Sequence, residues 1–537
     1  MSAAGTVWID EFFFLKCCRA LLWRRDDSVV FALVSDGDVS VGDTVDCRFS
    51  GILQVADEDH GPQTKRRYKL AKVPVGDDVV GQVVNFLGYP IKDGVTEQKR
   101  VGTSSMYPLL KAPPNMEDRE SIDSPLITGV KAIDIITPLG KGQALQVSGI
   151  QGSGKTQVCI QAIMGQKGNN VRCVYVAVGC SKQQISQTIK TLEDSGCMEY
   201  TTVVVATEDQ GLGKQYAAIC YGCSIAERYR DEGGDALVVF NNVGPMVRLW
   251  DSITRSMTPL DSGNAGSADP SDLVEYEGML ISVAAAQRRQ FFSFLIQRCA
   301  RMHKRLKGGS MTGLFVVPGS PAQGKSPRMK DKIAAYKHLT AAQKAKLLSA
   351  LEQTETSRDV GVDSQYDLST EVVEEFMSMA DGQVVLQNAR DSITGGPRVD
   401  PSLSVSRIGS RAYSPAIADL ASLVRFELAQ ANDAQRFAAN AATDPMARKA
   451  LQRADAVTAA LPQREGTVCP LEYQVIQLMA VQQGIVDKVP VEQVSQILDS
   501  ITKDVISRCP KAVEEIRVSK KLSQEAKAAI FAALTTR

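Results

Sequence analysis

The chain has 537 residues, several times the length of a typical domain, so two or three domains are expected and a single small fold is excluded. Its 61 Lys and Arg balance 61 Asp and Glu, which argues against a nucleic-acid surface built on a global basic field. With 44% hydrophobic and 23% charged residues the composition is that of a globular protein, and twelve cysteines are too dilute for a disulfide scaffold.

Residues 1–27 read as an N-terminal extension with an aromatic run, Phe12, Phe13 and Phe14, followed by a basic amphipathic stretch over 16–25. Both a targeting remnant and a docking segment fit. Asp10 and Glu11 break the acid-poor pattern of a transit peptide, and no small-residue cleavage site follows an apolar core. Residues 28–100 read as short β segments, 29–34 and 81–87 among them, separated by turns near Gly37 and Gly42, and a small β-barrel domain is expected there.

A second domain is expected over 101–409. It opens with an extended connector marked by Pro108, Pro113, Pro114, Pro125 and Pro138. Short apolar β-rich runs at 145–148, 171–178, 201–206, 236–240, 312–317 and 383–386 then alternate with helical patterns, the signature of a parallel sheet covered by helices. Two stretches, about 261–272 and 318–365, break the rhythm and read as surface insertions. The second carries Lys325, Arg328, Lys330 and Lys332 and a helical pattern over 341–351. After Gly409 only Gly466 and Gly484 remain while Ala, Leu, Gln and Glu dominate, so 410–537 is expected to be a helical domain. No apolar run reaches the roughly 18 residues of a membrane span. Cys220 and Cys223 form a lone Cys-x-x-Cys with no partner pair at zinc spacing and only three histidines in the chain, and they read as two buried thiols.

The sharpest chemical signal is Gly149, Ile150, Gln151, Gly152, Ser153, Gly154, Lys155 and Thr156, a Walker A loop between an apolar strand and a helix that begins near Gln157. Backbone N–H groups and the helix dipole then converge on phosphate oxygens. Lys155 is expected to neutralise the β and γ phosphates, and the Thr156 hydroxyl to ligate Mg²⁺. Hydrolysis also needs carboxylates at later strand ends, for the metal's water shell and for the attacking water. Those ends carry Asn241 and Asn242 after one strand and Cys180 after another, all neutral. The expectation is a site that binds nucleotide without efficient turnover. Glu208 and Asp209 are the nearest carboxylates that could substitute, against a plain reading as a solvated turn.

Several segments, in order, resemble the alpha subunits of F-type ATP synthases. They are Val73-Pro-Val-Gly-Asp-Asp-Val-Val-Gly81, Pro125-Leu-Ile-Thr-Gly-Val-Lys-Ala-Ile-Asp134, Pro138-Leu-Gly-Lys-Gly142, the run from Ala226 to Asp231, Leu403-Ser-Val-Ser-Arg-Ile-Gly409 and Phe426-Glu-Leu-Ala-Gln430. The resemblance implies a multidomain α/β protein: an N-terminal β-barrel, a central RecA-like P-loop nucleotide-binding domain and a C-terminal helical domain. It implies a non-catalytic subunit, because catalytic beta subunits carry Glu where Cys180 stands and alpha subunits carry a neutral Gln. It implies that Arg407 reaches toward the γ-phosphate on a neighbouring beta subunit as an arginine finger. ATP or ADP is the implied ligand of 149–157, with Mg²⁺ weakened because the family keeps Asp-Asp where Asn241 and Asn242 stand. An arginine the family carries before the finger aligns with Gly396, with Arg398 close by. Adenine contacts come in the family from a Gln-rich turn whose nearest match is 463–470, which makes Gln463 the candidate.

The implied partners are beta subunits in an alternating hexamer, a central gamma stalk and peripheral stalk subunits, with no nucleic acid and with the membrane reached only through the complex. The implied location is the matrix side of the mitochondrial inner membrane, or the cytoplasmic side of a bacterial plasma membrane. Rival readings are a self-sufficient ring ATPase of the related export or helicase families and a degenerate scaffold. The helicase reading needs a basic groove with stacking aromatics, and residues 28–100 offer only Lys65, Arg66 and Arg67.

Overall fold

The structure is a computed structural model that describes residues 11–14, 19–24, 30–36, 72–92, 95–96, 99, 101–102, 105–257, 273–276, 279–319, 368, 370–387, 398–436, 445–487 and 489–535. It divides into two compact units. The first comprises Met1–Thr128, Leu139–Leu145 and Cys159–Val316, and the second Gly129–Pro138, Gln146–Val158 and Val317–Arg537. The strands that matter are Val83–Asn85 (β1), Ala144–Gly149 (β2), Val171–Cys180 (β3), Thr201–Thr207 (β4), Asp235–Phe240 (β5), Ser310–Pro318 (β6), Gly382–Leu386 (β7) and Val405–Ser406 (β8). The helices of the same region are Lys131–Ile136 (α1), Lys155–Met164 (α2), Lys182–Asp194 (α3), Leu212–Asp231 (α4), Gly244–Met257 (α5), Val283–Ile296 (α6) and Thr370–Met379 (α7). The chain passes from one unit to the other inside β2, α2 and β6.

In the first unit β1, β4, β3, β5 and β6 pair in that order, all parallel. The strands are buried on both faces, which is why β3, β4 and β5 read as near-continuous apolar runs. Helix α4 lies close on the sheet because position 222 is Gly: a methyl group there would stand 2.3 Å from Val176 Cγ2. Cys220 and Cys223 flank it, both fully buried, and burial lifts the Cys223 thiol far above its ordinary value. The Cys-x-x-Cys is therefore packing against the sheet. On the same helix Glu227 receives both arms of Arg298, at 2.8 and 2.9 Å, and Arg230 donates to the Arg298 carbonyl at 2.7 Å. All three are buried, so loss of either charge of the Glu227–Arg298 pair strands the other, a cost of about 3–5 kcal/mol.

The expected barrel is seen only in antiparallel pieces. Glu11–Phe14, Arg19–Arg24 and Val30–Asp36 form a meander, and Lys72–Pro74 pairs with Met106–Pro108. Residues 37–71 lie outside the described set. One expectation is corrected: the run 81–87, read as a barrel strand, contributes β1 to the parallel sheet, with Val83 opposite Val203. A three-residue apolar strand carries no periodicity that would tell one sheet from another. Of the two insertions, 261–272 and all of 318–365 but its first two residues fall outside the described residues.

In the second unit β2 continues beside β7, and β7 pairs antiparallel with β8. Beyond residue 418 the described residues are helical: Ala418–Arg436 (α8), Pro445–Ala460 (α9), Leu471–Gln482 (α10), Val491–Arg508 (α11), Pro510–Ser519 (α12) and Gln524–Thr535 (α13). Helix α1 is tied into them by polar side chains. Lys131, 6% exposed, donates to the Ala460 carbonyl and to Gln477 Oε1 at 2.8 and 2.9 Å. Asp134 accepts from Gly129 N and from Gln474 Nε2. Among the described residues no helix is long and apolar enough to cross a membrane.

Candidate functional site

The phosphate loop leaves β2 at Gly149, which exchanges backbone hydrogen bonds with Gly319 at 2.8 and 3.2 Å. No larger residue fits there, since a methyl group would stand 2.5 Å from Ser153 Oγ and 2.9 Å from the Leu386 carbonyl. Gly152 and Gly154 have φ of 78° and 89°, the left-handed backbone that bends such a loop so that successive N–H groups share a concavity. A methyl group at Gly152 would meet nothing within 4 Å, so space remains above the loop. Ser153 is fully buried and its hydroxyl has no partner. Lys155 opens α2 and folds its ammonium back onto the Gly149 and Ile150 carbonyls at 2.6 and 2.8 Å. The loop thus offers an open cradle, an orphaned hydroxyl and a cation held by neutral carbonyls, and it fits a polyphosphate.

Two residues further along α2, Gln157 lies against the 463–470 turn; with its side-chain amide turned to match donors with acceptors it donates to Glu465 Oε1 and accepts from Gly466 N, each at 3.0 Å. Sequence reasoning placed both segments near a nucleotide but missed this link. Gln463, expected as an adenine contact, is bonded within its own unit. It is 7% exposed, its Oε1 accepts from Lys131 N, and its Nε2 donates to the Gly129 and Thr467 carbonyls. With both amide hydrogens committed, it is a strut of the turn and has no donor left for an adenine. The residues the turn exposes are Arg464, Glu465, Gly466, Thr467 and Pro470.

At the carboxyl ends of β3 and β5, in the first unit, Asn241 Nδ2 donates to Cys180 Sγ at 2.9 Å and Asn242 Oδ1 caps α5 by accepting from Gly244 N at 2.8 Å. Burial pushes the Cys180 thiol above its ordinary value; the Asn241 hydrogen bond opposes that rise and the Glu208 charge adds to it. Cys180 is accordingly a neutral thiol. Asp209, held by the Thr207 hydroxyl and lying 3.6 Å from Lys182, stays below the usual carboxylate range, and Glu208 is exposed. Among the described residues no three His, Cys, Asp or Glu side chains converge as a metal site. Two neutral amides and a neutral thiol bring no negative charge to a dication, so these strand ends do not fit a firmly held Mg²⁺.

Arg407 follows β8. Its backbone N–H donates to the Asp381 carbonyl at 2.9 Å, and its guanidinium donates to the carbonyls of Ser378 and Met377 at 2.8 and 3.0 Å, at the end of α7. These are the carbonyls that a helix leaves unpaired in its last turn, where a cation is favoured. The side chain is exposed although three hydrogen bonds fix the residue. Arg398 sits half-buried with its carbonyl bonded to Gln387 N, and Gly396 lies outside the described residues.

Two family models match the chain. Residues 129–259 match the nucleotide-binding domain of the ATP synthase alpha/beta family, and residues 414–536 match the C-terminal domain of the ATP synthase alpha/beta chain. Among the similar proteins, the ATP synthase subunit alpha of Mycobacterium sp. strain KMS is 30% identical over 87% of this chain and 75% of its own length. That of Helicobacter pylori strain G27 is 30% identical over 87% and 80%, and that of Lawsonia intracellularis 29% identical over 90% and 84%. The chain belongs to the alpha-subunit family of F-type ATP synthases.

In this alpha-subunit relative the segments that carried the resemblance have physical roles. The 125–134 segment anchors α1 through Lys131 and Asp134, and the 226–231 segment supplies the buried Glu227. Of the residues read as a nucleotide site, 149–157 come together as one loop and helix start, and Arg407, read as a finger for a neighbouring subunit, lies at the end of α7.

Proposed function

We propose that this chain is the non-catalytic, nucleotide-binding alpha subunit of a rotary ATP synthase, alternating with catalytic beta subunits around a central stalk. The observation that carries the reading is the chemistry of the strand ends: Cys180, Asn241 and Asn242 are neutral and already bonded to one another or to a helix start, so no base is poised to polarise water. A polyphosphate would draw Lys155 off its two carbonyls and meet the left-handed glycines of the loop. ATP or ADP so held stiffens the subunit without being consumed.

Arg407 supports the second half of the reading. Its backbone is fixed and its guanidinium is exposed, which suits a finger offered to a neighbour, where such an arginine is worth about 10³–10⁵ in rate. Location follows from the assembly, on the side of the coupling membrane where ATP is made: the mitochondrial matrix, or the cytoplasm of a bacterium. No observation favours a self-sufficient ATPase, because Asp209 is engaged with Lys182 and Thr207.

The test is ATP hydrolysis by the purified chain alone and after reconstitution with a beta partner. Silence alone, activity in the mixture and a loss of about three orders of magnitude or more with Arg407→Ala are expected. Turnover by the chain alone would overturn the reading.

A further inference from the structure

The phosphate loop and the 463–470 turn belong to the same unit, and the turn carries a pair of groups that the reading above does not use. Gln157, two residues and a rise of about 3 Å along α2 from Lys155, fits its amide to the turn at two points, donating to Glu465 Oε1 and accepting from Gly466 N at 3.0 Å each. The turn is held from within: Thr467 N donates to the Arg464 carbonyl at 3.2 Å, and Gln463 Nε2 to the Thr467 carbonyl at 2.7 Å. Gly466 has φ of 71°, and a methyl group there would meet nothing within 4 Å, so the turn is open above it. Glu465 is exposed, and among the described residues it is in no ion pair. The Gln157 amide occupies one of its carboxylate oxygens and leaves Oε2 without a partner among them.

We propose that Glu465 and the Gly466 N–H are a base-reading pair that admits guanine as well as adenine and holds guanine by one more hydrogen bond. The Gln157 amide shows which pattern fits the pair: a donor N–H and an acceptor joined through one carbon. Guanine repeats that unit as N1–H and O6, and adenine repeats it as N6–H and N1. Either base, taking the place of the amide, gives a hydrogen to Glu465 Oε1 and receives one from Gly466 N. Guanine alone has a second donor beside the first, its N2 amino group, which meets Glu465 Oε2. A carboxylate accepts two parallel N–H bonds, and bonds to an ionised acceptor are the stronger ones. Adenine has only a C–H at that place. Until a base arrives, Gln157 keeps the two groups at the spacing the base needs, so less ordering remains to be done on binding. The inference rests on the nucleotide-binding reading and names the bases that its site takes.

The experiment measures equilibrium binding of labelled ADP, GDP and IDP to the full-length chain, for wild type, Glu465→Gln and Lys155→Ala, with circular dichroism to confirm that each folds. IDP keeps the N1–H and O6 of guanine and lacks the N2 amino group. The expected result is GDP bound about three- to tenfold more tightly than ADP, and IDP weaker than GDP by a similar factor. Glu465→Gln exchanges one acceptor oxygen for a donor, so it should bring GDP down to the level of IDP and hold ADP within about threefold of wild type. GDP weaker than ADP, equal binding of GDP and IDP, or an unchanged ratio of GDP to ADP affinity in Glu465→Gln overturns the proposal and leaves the nucleotide reading in place. Binding of none of the three by folded wild type, or binding that Lys155→Ala leaves unchanged, removes the nucleotide reading and this inference with it.

Discussion

Asn241 and Cys180 are joined by a 2.9 Å hydrogen bond from the amide to the sulfur, across the ends of two adjacent parallel strands. Where this topology ordinarily gathers charge for chemistry on phosphate, the chain has closed an amide on a thiol.

Cys180 is expected to resist alkylation. Burial holds its thiol above the ordinary value, so at pH 8 little thiolate is present, and the side chain is also shielded. With iodoacetamide and mass spectrometry, Cys509, which is only half-buried, should be labelled at least severalfold faster than Cys180. Earlier labelling of Cys180 would show that the strand ends are open and its thiol activated.

Gln463 and Glu465 separate stability from binding. Gln463→Ala strands Lys131 N and the carbonyls of Gly129 and Thr467, and a loss of about 2–3 kcal/mol in urea unfolding is expected. Glu465→Ala removes one bond of an exposed residue, and its effect on unfolding should be within about 0.5 kcal/mol. Nucleotide affinity should fall for Glu465→Ala and for Gln157→Ala alike, because each releases the turn from α2. Equal unfolding midpoints for Gln463→Ala and wild type would refute the strut.

Lys131 should make stability rise with pH in the alkaline range. Burial lowers its pKa below the ordinary 10.5, so between the folded and unfolded values the unfolded chain binds more protons than the folded one. The contribution is complete above 10.5 and is lost as pH falls through the lower folded value. Comparing urea unfolding of wild type and Lys131→Met from pH 8.5 to 10.5 isolates the effect as a difference in slope. Parallel curves would mean that the two hydrogen bonds to Ala460 and Gln477 hold the ammonium as well as water does.

Much of this molecule was legible from residue order. Six apolar runs became strands of the sheet within two residues of their expected ends, because strands buried on both faces must be apolar throughout. The Walker A loop was equally legible, since positive φ at Gly152 and Gly154 admits little but glycine. The neutral strand ends followed directly from Asn241, Asn242 and Cys180.

Three things were decided only by tertiary structure. The run 81–87 joined the parallel sheet, because three apolar residues fit any sheet edge and the partner strand β4 made the choice. Gln463 turned inward, because its acceptor and one donor matched backbone groups over three hundred residues away in sequence and its other donor the Thr467 carbonyl four residues on. Among the described residues the Arg248 guanidinium was left without an ion pair or hydrogen bond, and no local pattern reports which side chains on different helices will meet. Local sequence sets backbone preference and burial; which polar groups meet depends on how the chain returns on itself.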